Sequence, residues 1–78
     1  MISPEQVESL IKSGLPNATT IEVQDLTGTQ DHYQVTIVAP DFAGLSMVKQ
    51  HQLVYSTVQE PMASGALHAL SLKTSAPE

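Results

Sequence analysis

The chain has 78 residues, enough for one small domain with a thin hydrophobic core. Apolar residues make up 41% of it, which predicts a globular domain rather than a disordered chain. The formal net charge is −5, which argues against strong nucleic-acid binding, because such binding relies on cationic side chains that neutralise phosphates. No cysteine is present, so this chain contributes neither a disulfide nor a thiolate metal ligand.

We expect a single domain over residues 1–78, with flexible ends at residues 1–2 and 75–78. No apolar run reaches the roughly 18 residues of a membrane span, and the first residues lack the basic start and apolar core of a targeting segment. The absence of cysteine fits a reducing compartment. The expected location is therefore the cytoplasm, without a membrane partner.

A helix is predicted at the start of the chain. Ser3 has the side chain of an N-cap, Pro4 suits the first helical position, and Gln6 lies where a capping box needs it. Gly14 is the expected end of this helix, since the proline two residues later prevents continuation. The apolar face of the helix is predicted to comprise Val7, Leu10 and Ile11.

Two strands are predicted after this helix. Residues 19–25 and 32–39 alternate apolar and polar side chains, as expected for strands with one buried face. In the second strand, Tyr33, Val35 and Ile37 fall on one side. The connection between the strands is short, polar and contains Gly28, which predicts an antiparallel hairpin.

The rest of the chain predicts a second helix at about residues 46–58, a short helical turn at residues 60–65 and a third strand at residues 66–73. A strand, a crossing helix and a further strand favour parallel pairing. The expected fold class is α+β, with a three-stranded mixed sheet and helices packed on one face. The apolar stripe of the second helix is predicted to comprise Met47, Val48, Val54, Tyr55 and Val58, with His51 at its middle.

Four segments of the chain closely resemble the BolA family, and they hold its Phe-x-Gly, helical His and His-Ala-Leu motifs in the family's order. The resemblance implies the class II K-homology-like arrangement α-β-β-α-β, which agrees with the element order predicted above. The matching segments are residues 31–35, 42–46, 50–55 and 67–74.

The resemblance also implies a partner and a cofactor. BolA-like proteins form heterodimers with monothiol glutaredoxins and share a 2Fe–2S cluster, to which the glutaredoxin contributes a cysteine and a bound glutathione. The BolA-like chain contributes the histidine of its His-Ala-Leu motif, here His68, and a second ligand from the loop between the first two strands. That loop has no cysteine here, and His32 is the metal-binding side chain nearest to it. We therefore expect His68 and His32 as ligands, only in the complex.

Other interpretations of these histidines remain open. His68 could be a sheet-edge histidine satisfied by a hydrogen bond, and His32 an exposed histidine at a turn beside Asp31, whose carboxylate could orient the ring. His51 is expected to be a core histidine that hydrogen-bonds a backbone carbonyl. The alternative is that His51 orients His68 or a group of the loop.

The expected contact surface, for a partner or for nucleic acid, lies in the second half of the chain. Some BolA-like proteins resemble transcriptional regulators that read DNA with the second helix and last strand, so DNA binding is the alternative function. Against it, the chain has no arginine and no Gly-x-x-Gly clamp. The surface residues are Phe42, Gly44, Lys49 and Lys73.

Two further hypotheses concern chemistry and assembly. No serine has an evident base at motif spacing, and no Gly-rich phosphate loop is present, so we expect a protein that is not an enzyme. A simple interaction module, whose binding needs neither histidine, and a homodimer of the apo protein both remain open.

Overall fold

The computed structural model of the protein describes residues 2–26, 28, 32–67 and 69–77. Its elements follow the predicted order. The short helical turn expected after the second helix is a separate third helix, and a 3-10 turn follows the second strand. Within these residues, no helix is long and apolar enough to cross a membrane. The elements are α1 (Pro4–Gly14), β1 (Thr20–Asp25), β2 (His32–Val38), the 3-10 turn (Pro40–Phe42), α2 (Met47–Thr57), α3 (Gln59–Ser64) and β3 (Ala69–Ser75).

The three strands form one mixed sheet in the order β1-β2-β3. β1 and β2 pair antiparallel, so the predicted hairpin is confirmed. β2 and β3 pair parallel, as expected for two strands separated by a crossing helix. β2 is therefore the central strand, and β1 and β3 are the two edges.

The core lies between the helices and one face of this sheet. Alternate residues of β2 are fully buried and the residues between them are half-buried, which confirms the predicted side of Tyr33, Val35 and Ile37. α1 contributes Val7 and Ile11 to this core. The other fully buried large side chains are Leu15, Phe42, Val54, Val58 and Leu67.

The start and the end of α1 have different roles. At the start, the Ser3 hydroxyl accepts from the Gln6 N–H (3.2 Å) and the Ser3 N–H donates to Gln6 Oε1 (2.9 Å), so the predicted capping box is confirmed. Gly14 is the last helical residue. A Cβ at Gly14 would collide with the side chain of Thr57 in α2, so glycine lets the two helices approach closely.

The predicted apolar stripe of α2 is only partly right. Val54 and Val58 are fully buried, but Met47 and Val48 are 56% and 66% exposed, and Tyr55 is also exposed. The first turn of α2 lies beside β3, which is an edge strand, so no further strand covers it. The predicted apolar face of α1 is likewise wrong at Leu10, which is exposed.

β3 begins later and ends later than predicted. Gly65 has a φ of 83°, and it closes α3 as expected. The Leu67 N–H then donates to the Pro61 carbonyl of α3 (3.1 Å), and the Leu67 side chain is buried. Leu67 is therefore part of the turn that follows α3 and not part of the sheet. The ladder starts at Ala69 and continues to Ser75.

One residue at each of the two expected flexible ends makes contacts with the folded domain. Ile2 is buried in the core, and its carbonyl accepts a hydrogen bond from the Tyr33 hydroxyl (2.6 Å). Ser75 is the last residue of β3, and its carbonyl accepts from the Ala39 N–H (3.0 Å). Both residues are therefore part of the folded domain.

Candidate metal and partner site

His32 is the first residue of β2 and is half-buried. Its register partner is Ala69, the first residue of β3. Ala69 directly follows His68 in the sequence, so chain connectivity relates the two predicted ligand positions across this strand pair. His68 itself and Asp31 lie outside the described residues, and their predicted roles stay predictions.

The donors available in the chain fit part of a metal site. The described residues contain no group of three or more His, Cys, Asp or Glu side chains able to hold a metal ion. A 2Fe–2S cluster is held by four side chains, usually cysteine thiolates, with two histidines replacing cysteines in one class of centres. Two imidazoles from a chain without cysteine therefore fit one half of a cluster whose other ligands come from a second molecule.

His51 lies in the middle of α2 and is half-buried. Its Nε2 atom is buried, and nothing in the described part of the chain hydrogen-bonds it. The expected hydrogen bond to a backbone carbonyl is therefore wrong at this nitrogen. Sequence patterns place a histidine on a helical face, but they do not show which atoms of the neighbouring elements its ring meets.

Side chains of α2 form hydrogen bonds with β3 that the sequence patterns did not predict. The Thr74 hydroxyl donates to Gln50 Oε1 (2.6 Å), and Gln50 Nε2 donates to the Leu45 carbonyl (3.0 Å). One turn and a half along the helix, the Tyr55 hydroxyl donates to the Leu70 carbonyl (3.1 Å). The sequence feature that could have indicated these contacts is that the side chains lie in segments 50–55 and 67–74, which carry the family resemblance.

The predicted contact surface must be corrected at Phe42. Its side chain is 1% exposed, because the 3-10 turn directs the ring into the core, so no partner can reach it. Gly44 is exposed and has a φ of 78°, a backbone conformation that suits glycine. Lys49 and Lys73 are also exposed, as predicted for a contact surface.

The order α-β-β-α-β, with a mixed sheet and helices on one face, defines a K-homology-like α+β domain. A family model of BolA-like proteins matches residues 2–78. The chain therefore belongs to the BolA-like family, as the sequence motifs predicted.

Relatives and solved structures agree with this assignment. The chain is 40% identical over 73 residues to RP812 of Rickettsia prowazekii, covering 94% of this chain and 92% of the relative. It is 37% identical over 67 residues to the acid stress protein IbaG of Escherichia coli K12, covering 86% and 80% of the two chains. Among solved structures, the BolA domain of SufE1 from Arabidopsis thaliana matches with a TM-score of 0.85 and 30% identity, covering 95% and 91%.

Proposed function

We propose that this chain is a non-catalytic partner of a monothiol glutaredoxin, with which it shares a bridging 2Fe–2S cluster. The pair would act in iron–sulfur cluster trafficking or in the regulation of iron and redox state. In the proposed complex, His68 and His32 are the ligands from this chain, and the glutaredoxin cysteine and glutathione complete the coordination. The proposal rests on membership of the BolA-like family.

The observation that carries the proposal is the parallel register of β2 and β3. His32 is paired with Ala69, and the residue before Ala69 in the sequence is His68. Two imidazole-bearing positions far apart in the sequence are thereby related at the start of two adjacent strands. A rigid strand pair is a better support for metal ligands than two independent loops.

When bound, a histidine-ligated 2Fe–2S cluster supplies one-electron chemistry at a potential higher than that of an all-cysteine cluster. In the proposed complex, this chain would contribute the imidazole of His32, at the start of β2, and that of His68, the residue before β3. His51, whose buried Nε2 lacks a partner among the described residues, is the candidate for a residue that positions the site without binding iron.

The test is cluster reconstitution with a monothiol glutaredoxin and glutathione, followed by visible absorbance and circular dichroism. We expect the glutaredoxin spectrum to change when the wild-type chain is added. The change should be lost with His68→Ala and altered or lost with His32→Ala, because each variant removes one imidazole ligand. An unchanged glutaredoxin spectrum with the wild-type chain would refute the metal role.

His51→Gln is the matched control, since it also removes an imidazole. If His51 only positions the site, this variant should retain the spectral change with a shifted cluster stability. If His51→Gln abolished the change while His68→Ala left it intact, the ligand assignment would be wrong. Binding of the apo chains, measured in parallel, separates loss of the cluster from loss of the heterodimer.

DNA binding remains the alternative, and one observation favours it. Lys49 in α2 and Lys73 in β3 are both exposed, on the two elements expected to read DNA. The chain has only three basic residues and a net charge of −5, which gives it few phosphate contacts. Titration of a labelled duplex at low and moderate salt decides this, because tight binding with a steep salt dependence would favour the DNA-binding function.

A further inference from the structure

The backbone of β3 has a definite orientation relative to β2. The Ser75 carbonyl accepts from the Ala39 N–H, so the polar backbone groups of Ser75 face the central strand. Backbone groups of successive strand residues point alternately to the two sides of a strand. The N–H and C=O groups of Leu70, Leu72 and Thr74 therefore point away from the sheet, at its free edge.

Within the described residues, the outward carbonyl of Leu70 has a hydrogen-bond partner, and the carbonyls of Leu72 and Thr74 have none. The Leu70 carbonyl accepts the hydrogen bond from the Tyr55 hydroxyl, which supports the outward direction of these groups. For the N–H and C=O of Leu72, the described residues provide no hydrogen bond beyond the strand. A free row of this kind is a template for an added strand.

The edge is flanked by cationic and apolar side chains. Lys73 is exposed on β3 and lies on the open face of the sheet, since its neighbour Thr74 is buried on the helix side. The Lys73 ammonium makes no hydrogen bond or ion pair with the described residues. The exposed Met47 and Val48 are next to Lys49 in sequence, and Met47 Sδ lies 3.5 Å from Thr74 Oγ1 of β3.

We propose that the outer edge of β3 binds an extended acidic segment of a partner protein by strand addition. The backbone of that segment would pair with the outward groups of Leu72 and Thr74. Its acidic side chains, on the open face of the sheet, would meet Lys73, and the alternate apolar side chains, on the helix face, would contact Met47 and Val48. This proposal goes beyond the shared cluster and does not depend on it.

The charge at the outer edge of β3 indicates which kind of partner would bind there. Lys73 lies on this edge strand, so an acidic segment gains a local attraction there that a neutral one lacks. A second copy of the chain that paired through the same edge would bring its own Lys73 against this one, so like charges would meet. The added strand is therefore expected from a different protein.

The probe is a synthetic, end-capped heptapeptide of alternating Glu and Val, titrated into the full-length 15N-labelled chain at low salt. A matched peptide with Lys in place of Glu has the same β-propensity pattern and the opposite charge. We expect the Glu peptide to shift the amide resonances of Leu72 and Thr74 and to slow their hydrogen exchange. The Lys peptide should bind at least about tenfold more weakly.

Variants of the chain locate the contact. Lys73→Glu should weaken binding of the Glu peptide about three- to tenfold, since it replaces an attraction by a repulsion. Lys49→Glu, on the part of α2 turned away from this edge, and Lys12→Glu, on α1 towards the β1 edge, make the same change in net charge, and each should change the affinity less than about twofold. Leu72→Pro removes an outward N–H without removing a ladder bond, and should abolish the slowed exchange at this edge.

Three outcomes would overturn the proposal. One is that the Glu peptide shifts no β3 amide, and another is that Lys12→Glu or Lys49→Glu weakens binding as much as Lys73→Glu. The third is that the chain alone forms a dimer through β3, or that short duplex DNA binds this edge more tightly than the Glu peptide. Because no metal or glutaredoxin is present, these results are independent of the reconstitution test. If Leu72→Pro does not fold, the lysine variants still decide the question.

Discussion

The side of the sheet formed by α1 and β1 and the side formed by α2 and β3 differ in how many of their groups are engaged within the chain. On the α1 side, a capping box closes the helix, Val7 and Ile11 are buried, and Lys12 Nζ donates to the Ala18 carbonyl (3.0 Å). On the α2 side, the helix begins with exposed Met47 and Val48. The ammonium groups of Lys49 and Lys73 on that side have no partner among the described residues.

The difference shows where the domain is stabilised and where it can bind. The groups just named on the α1 side already have partners within the domain, so they contribute chiefly to stability. On the α2 side, apolar surface, positive charge and outward backbone groups lie together at one sheet edge. In a chain of 78 residues with a thin core, these groups are more useful for binding than for folding.

The largest expected effect is that of Ile11→Ala. Ile11 is fully buried, so the truncation leaves a cavity in the core and should lower the free energy of unfolding by about 2–5 kcal/mol. Val48→Ala is the matched variant on α2, where the side chain is 66% exposed, and it should change the free energy by no more than about 0.5 kcal/mol. Urea unfolding of both variants measures the difference, and equal losses would contradict the distinction between the two sides.

Tyr33→Phe should have an intermediate effect. The Tyr33 hydroxyl donates a buried hydrogen bond to the Ile2 carbonyl (2.6 Å), and its removal leaves that carbonyl without this donor. We expect a loss of about 1–3 kcal/mol in the free energy of unfolding, measured in urea. A near-zero change would show that the start of the chain does not stabilise the core.

Tyr55→Phe should have the smallest effect on stability. Its hydroxyl also donates to a backbone carbonyl, that of Leu70 (3.1 Å), but Tyr55 is exposed and water can replace the lost donor at the sheet edge. The expected loss is about 0.5 kcal/mol. A loss as large as that of Tyr33→Phe would show that this edge is as closed as the α1 side, and would weaken the case for strand addition there.

The fold class was predictable because its signals are local or periodic. Ser3 and Gln6 lie three residues apart and cap α1 wherever that helix packs. The alternation in β2 identified its buried face, since any strand with one covered face shows it. The parallel pairing of β2 and β3 followed from the crossing helix between them.

The buried face of α2 and the limits of β3 were not predictable in the same way. Val48 and Val54 have the same side chain, but Val48 is exposed and Val54 is buried, because of how α2 packs against the sheet. Leu67 was placed in the last strand because it fits the alternation, but its N–H is taken by the end of α3. Phe42 is an aromatic residue that was expected at a contact surface, but its ring is buried in the core.

By itself, the sequence determined the caps, the order of elements, the family and the lack of any thiolate ligand, because each depends on residue identity or short spacing. The tertiary structure decided which groups remain available for binding. It brought His32 into register with Ala69, buried Nε2 of His51 without a described partner, and directed the backbone of Leu72 outward. These features depend on contacts between residues distant in sequence, which no local pattern encodes.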